Sequence, residues 1–385
     1  MGAYHQMGHD SESMILEPEL KRFRGAILSP VNYNPGNTIK QCERFRKERP
    51  DLDLIFDPQL YFPASERGKL PKWSYLPKDI DTVDPSVPAW QKIVDKILIT
   101  VADFKPDGIC SPAAMPRTFS DEYYDTIVTV ANYVAEKTGS SGCRSILTAL
   151  VGLTDLGRNQ RYLSVASILG KFRGHHVYLV LADNHPPRLE RTDSGALEGA
   201  ARLIRLLAKA GYEVTVGFTS SEMILWKSAG AHNVASGKFF NLRRFTLGRW
   251  DEEAKKGGKP MWYWFEPSML AFLREADINR FINEPFPLSE LHRENPYSQG
   301  MLKKLKDPAQ ERMLADSWRQ FLFWVAQCDA VLGTDIEKGS QIVAGAASMW
   351  KEVQAKKLKF EEEKNTGEWI HPWGVVINEL LRRPD

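Results

Sequence analysis

One rhythm constrains this chain more than any other feature. Short apolar, β-branched runs alternate with longer segments of helical period. The runs occupy 26–29, 54–57, 108–111, 145–150, 177–181, 214–218, 233–236 and 261–265. Continuous apolar runs of this length predict strands buried on both faces, as in a parallel sheet. Helical patterns fill the intervals at 38–47, 90–104, 122–137, 160–171, 195–209, 222–228 and 269–281. The clearest has Leu197, Ala201, Ile204 and Ala208 on one stripe, with Gly211 as a helix terminator. Eight strands, each followed by a helix-sized segment, predict an α/β fold, a (β/α)8 TIM barrel over residues 25–282. An open doubly wound sheet has the same periodicity, and the count of eight favours closure.

Residues 1–24 are polar and read as an irregular N-terminal segment. Residues 283–385 lack strand signals. Met313, Leu314, Trp318, Phe321, Leu322 and Val325 mark an amphipathic helix within 307–328, and further helices are expected over 342–364 and after Trp373. This C-terminal helical extension is expected to dock on the barrel or on a partner, either another protein or a second copy. Two long connections, 62–88 and 242–260, are candidates to cover a site.

Composition excludes several classes. The 51 Lys and Arg against 49 Asp and Glu give a net charge of +2, which argues against a dedicated nucleic-acid coat. Four scattered cysteines without a CxxC pair exclude a disulfide scaffold and a local zinc knuckle, and fit a reducing cytoplasm. No apolar stretch is long enough for a membrane span, and no signal-peptide core is present. Phosphate-loop, dinucleotide-fingerprint and nucleophile-elbow motifs are lacking, and no cofactor is expected. His5, His9 and Asp10 have the spacing of a metal site on a helix but show no helical face, so no metal is expected.

Barrel chemistry sits at the C-terminal ends of the strands. Asp57, fixed by Pro58, is the leading candidate for a general base or nucleophile, or for pairing two N–H groups of a base edge; a turn cap is its bland alternative. Asp183 and Lys238 are the other catalytic candidates; a strand-end lysine suits a Schiff base or a phosphate. Asn32, Tyr33, Gln59, Ser111, Ser220, Asn241 and Glu266 are candidate substrate-binding residues. Arg243, Arg244 and Arg249, interleaved with Phe239, Phe240 and Phe245, are candidates for nucleic-acid contact.

The stretch Glu222, Leu225, Gly230, Ala231, Asn233, Phe239, Asn241, Arg243 and Arg244 resembles the seventh-strand region of the tRNA-guanine transglycosylases. The resemblance is specific over about 25 residues. It implies a barrel that binds or exchanges guanine or a 7-deazapurine in tRNA or DNA, a chemistry also associated with antiphage operons. Two departures stand out. Ala235 or Ser236 falls where the family has its nucleophilic aspartate, and the zinc-binding Cys/His cluster has no counterpart after Asn241. An inert barrel serving as a subunit of a defence assembly, and a lyase or aldolase using Lys238, remain as alternative functions.

Overall fold

A computed structural model describes residues 1–77, 86–139, 141–246, 248, 250, 261–283, 290–306, 313–363 and 365–383. Eight parallel strands close a barrel in chain order: β1 (Gly2–Gln6), β2 (Gly25–Leu28), β3 (Asp53–Phe56), β4 (Gly108–Cys110), β5 (Arg144–Gly152), β6 (His176–Ala182), β7 (Glu213–Gly217) and β8 (Asn233–Ser236). The seam is β1 against β8, with Tyr4 opposite Ala235. The expected TIM barrel with a helical extension is therefore the observed fold.

Two strands differ from the sequence reading. Gly2–Gln6 lies in the segment expected to be irregular, yet it is fully buried between β2 and β8. Its polar residues, His5 and Gln6, disguise it. His5 sits on this strand, so it shares no helical face with His9. The run 261–265 is not the eighth barrel strand. It forms β9 (Trp264–Glu266), which pairs antiparallel with β10 (Ala271–Leu273). Turn backbone joins the two, with Leu270 at φ +51°. Trp264 and Phe265 of this run are buried, Phe265 against Phe321 and Trp324 of the helical extension, and helix 269–281 shrinks to its second half.

Between the strands lie α1 (Glu12–Ile15), α2 (Pro35–Glu48), α3 (Val87–Val101), α4 (Asp121–Thr138), α5 (Leu153–Leu156), α6 (Arg161–Leu169), α7 (Ser194–Lys209) and α8 (Met223–Ser228). Side-chain caps fix where three of them start. Asn34, Ser120 and Asp193 accept backbone N–H groups of the first turns of α2, α4 and α7. Gly211 ends α7 at φ +89°, a conformation that favours glycine.

The extension holds α9 (Glu275–Asn283), α10 (Pro296–Lys304), α11 (Leu314–Leu332), α12 (Ile336–Ala355) and α13 (Ile370–Arg382). Helix α11 packs on β1 and β8, where the eighth barrel helix would stand. Helices α12 and α13 pack on α8 and α7. Among the described residues, no helix is long and apolar enough to cross a membrane.

Close backbone contact fixes α7 against α5. A Cβ on Gly199 would lie 2.3 Å from the Leu156 carbonyl oxygen. Gly199→Ala is therefore expected to cost about 1–3 kcal/mol by overpacking. A denaturant midpoint equal to wild type would contradict this contact.

Candidate functional site

The N-terminal end of the barrel is tied by charge. Tyr4 donates to Asp53 (2.5 Å), Arg144 pairs with Asp53, and Arg24 reaches Glu213 and Asn233. These contacts hold the strands together at this end.

At the opposite end, the mouth is filled. Tyr61 lies across it, edge-on to Phe218, Phe245 and Trp250 at ring separations of 6.4, 5.1 and 5.4 Å. Its hydroxyl donates to Asp57 Oδ2 (3.0 Å). Asp57 Oδ1 accepts the Gln59 backbone N–H (2.9 Å), the turn-capping geometry. The leading catalytic candidate is thus only 2% exposed and committed to two donors. Gln59, in the left-handed region at φ +53°, accepts from Ser29 Oγ (3.0 Å), which in turn accepts from Asn32 (2.7 Å). Tyr33 donates to the Gly8 carbonyl, and Ser111 Oγ accepts the Thr148 N–H. Across the barrel, Tyr178 donates to Gln6 Oε1 (2.8 Å). Burial drives the Tyr61 phenol well above its ordinary pKa, with the Asp57 charge adding to it.

The remaining candidates separate into distinct places. Asp183 is buried against Arg191 (2.7 Å). The Ser220 N–H donates to Glu222. Lys238 is boxed between Phe239 and Trp318, its ammonium 4.9 and 4.7 Å from the ring centres. Burial lowers its pKa, and burial together with the nearby Lys238 charge pushes His5 down to about 3. Asn241 is half-buried in a 3-10 turn.

The two described arginines do not form an exposed basic face. Arg243 is enclosed by Phe240, Phe272 and Phe321 and donates to the carbonyls of Gly237 and Lys238. Burial pushes its pKa down to about 9. Arg244 is fully buried against Glu190 and Glu222. Aromatic neighbours that suggested base stacking serve to desolvate and clamp these cations instead. Arg249 lies outside the described residues.

Glu266 is not at the mouth. It sits in the hairpin, where His292 Nε2 approaches Oε2 (2.7 Å) and His292 Nδ1 meets Ser298 Oγ (3.1 Å). This Ser–His–Glu relay is buried throughout, and Ser298 has no exposed surface. It joins the hairpin to α10 rather than presenting a nucleophile.

A ligand-sized space among the described residues lies beside the mouth, between the N-termini of α3 and α4. A groove of about 440 Å³ is lined by Ser86, Val87, Trp90, Ala114, Arg117, Thr118, Ser120, Glu122, Tyr123, Thr126 and Ile127. Two smaller cavities, of about 30 and 20 Å³, border the extension. Arg117 and Glu122 are exposed, and Arg117 forms no ion pair among the described residues. Hydrogen bonding from Ser120 lowers the pKa of Glu122. The sequence reading missed this groove because its walls come from two helix starts rather than from strand ends. Ser86 and Ser120, each just before a helix, were the available signal. Among the described residues, no group of three or more His, Cys, Asp and Glu side chains could hold a metal ion.

Comparison with known proteins gives remote structural alignments only. No protein-family model matches the chain, and no curated protein matches it. Among solved structures, an AP endonuclease of family 2 from Brucella melitensis aligns at 12% identity and TM-score 0.35. It covers 61% of this chain and 92% of its own. The homocysteine methyltransferase MmuM from Escherichia coli, in its apo form, aligns at 13% identity and TM-score 0.33. It covers 61% of this chain and 89% of its own.

Proposed function

We propose that this barrel binds a small anionic ligand carrying a nucleobase, and does so in the lateral groove between α3 and α4. The groove carries this reading. Its volume lies in the range of small-molecule sites, roughly 300–1,000 Å³. Its walls combine the aromatic rings of Trp90 and Tyr123 with hydroxyls and two opposite charges. Arg117 suits a phosphate or carboxylate group. The Glu122 carboxylate can accept two adjacent N–H groups, the pattern on the base-pairing edge of guanine. In this reading the role considered for Asp57 passes to Glu122, whose side chain is exposed. The stretch that resembles guanine-handling barrels runs through β8, the eighth strand and not the seventh, and its Arg243 and Arg244 are buried, so the reading rests on the groove alone.

Titration calorimetry with guanine, guanosine and guanosine monophosphate tests the reading. The monophosphate is expected to bind the wild type best. Arg117→Ala should weaken it by about tenfold, the loss of one charge-assisted contact. Glu122→Gln should weaken all three ligands, and Asp57→Asn should leave them unchanged. Binding that survives Arg117→Ala and Glu122→Gln but not Asp57→Asn returns the site to the mouth. Absence of binding to folded wild type sinks the ligand class. The inert-subunit alternative then leads, because the candidates at the mouth are already committed within the fold. The lyase reading draws less support, since the amine of Lys238 clamps α11 through Trp318.

A further inference from the structure

The connections that follow β6 and β8 meet the hairpin and the C-terminal segment around a cavity of about 30 Å³. Arg188 comes from the first connection and Phe240 from the second. Tyr263 and Phe272 come from the hairpin and its approach, and Glu362 and Trp369 from the segment between α12 and α13. The cavity thus stands at the C-terminal end of the barrel, where such folds carry their chemistry.

Three groups on its wall lack the partners that their chemistry calls for. Arg188 donates to the Tyr263 hydroxyl (2.9 Å), which donates to Glu362 (2.7 Å). The two charges stand one hydroxyl apart, yet neither makes an ion pair among the described residues. The Trp369 indole is 5% exposed, and its N–H has no acceptor among the described residues. The other charges close by are committed. Glu190 accepts from Arg244 (3.1 Å) and from the Ser221 hydroxyl (2.9 Å), and Arg274 stands 3.6 Å from Glu361.

This set selects the charge type of a ligand. An anion alone would meet Arg188 but lie beside the Glu362 carboxylate. A cation alone would meet Glu362 but lie beside the guanidinium. A zwitterion satisfies both. Its carboxylate matches the forked donors of Arg188 and takes the Trp369 N–H as a further donor, while its ammonium donates to Glu362. The enclosed space suits the few heavy atoms of such a headgroup. Phe240 and Phe272, edge-on at 5.0 Å and half-buried, offer an apolar wall to whatever side chain follows.

We propose that this cavity binds a free α-amino acid with an apolar side chain, held by both of its charged ends. The site is separate from the lateral groove.

Titration calorimetry of the full chain with L-phenylalanine, L-leucine and two truncated analogues provides the test. Wild type should bind both amino acids. It should bind phenylalanine about tenfold more tightly than 3-phenylpropanoate, which lacks the ammonium, or phenethylamine, which lacks the carboxylate. Arg188→Ala should weaken phenylalanine about tenfold and leave phenethylamine unchanged. Glu362→Gln should weaken phenylalanine equally and leave 3-phenylpropanoate unchanged. Arg188 is exposed and Glu362 half-buried, so neither variant disturbs the core. Trp369→Phe keeps a ring, removes the N–H and should weaken phenylalanine severalfold. Absence of binding of both amino acids to folded wild type overturns the proposal, as does an affinity for phenylalanine that neither Arg188→Ala nor Glu362→Gln moves. Arg117→Ala should leave phenylalanine binding at wild-type strength; a loss there also overturns the proposal, because it moves the ligand to the lateral groove.

Discussion

Replacing Lys227 by methionine is expected to destabilise the protein by about 3–5 kcal/mol, as for other buried ion pairs that lose one member. Lys227 on α8 has no exposed surface. Its ammonium lies 2.9 Å from Asp329 Oδ1 of α11 and 2.9 Å from the His232 carbonyl. Methionine fills much of the same volume but leaves the Asp329 carboxylate buried without its cation. The uncompensated charge dominates the effect, because attraction within the intact pair is largely offset by desolvation. Lys227→Met combined with Asp329→Leu should therefore recover most of the loss. Denaturant unfolding of the two single variants and the double variant measures this as a coupling energy. Additive losses would show that the pair is not coupled.

Tyr61→Ala is expected to be comparably damaging, about 3–5 kcal/mol, since it removes a large aromatic side chain from a packed site. The ring touches Phe218, Phe245 and Trp250, and the hydroxyl satisfies Asp57. Tyr61→Phe keeps the packing and removes only the hydrogen bond, so about 1–3 kcal/mol is expected. The pair of variants separates filling from polarity. Guanosine monophosphate affinity in Tyr61→Phe should equal wild type when the ligand occupies the lateral groove. A marked change in affinity would implicate the mouth.

The barrel was legible because its inner strands are continuous apolar runs, and β5 and β6 show this most plainly. The count of eight nevertheless arose from two compensating misreadings. β1 carries His5 and Gln6, which look like surface residues in sequence but are buried inside the closed ring. The run at 261–265 has the composition of a buried strand because the extension covers it, and periodicity does not reveal what covers a strand. At the site, the strand-end positions of Asp57, Asp183 and Lys238 were correctly located. Their partners were not readable: Tyr61 four residues on, Arg191 eight residues on, and Trp318 in another helix. A polar residue at a strand end thus gives a position, while its availability depends on contacts distant in sequence.

The seam between β1 and β8 bears on how the molecule is assembled. Along the chain β1 comes before its partner Ala235, which follows only after six further strands have been made. Throughout that interval β1 can pair with β2 on one side only, leaving a row of backbone donors and acceptors open on the other. Such an edge is a template for pairing with other chains, and closing it requires a contact of very large sequence separation, which is intrinsically slow. Association of growing chains through this edge competes with ring closure.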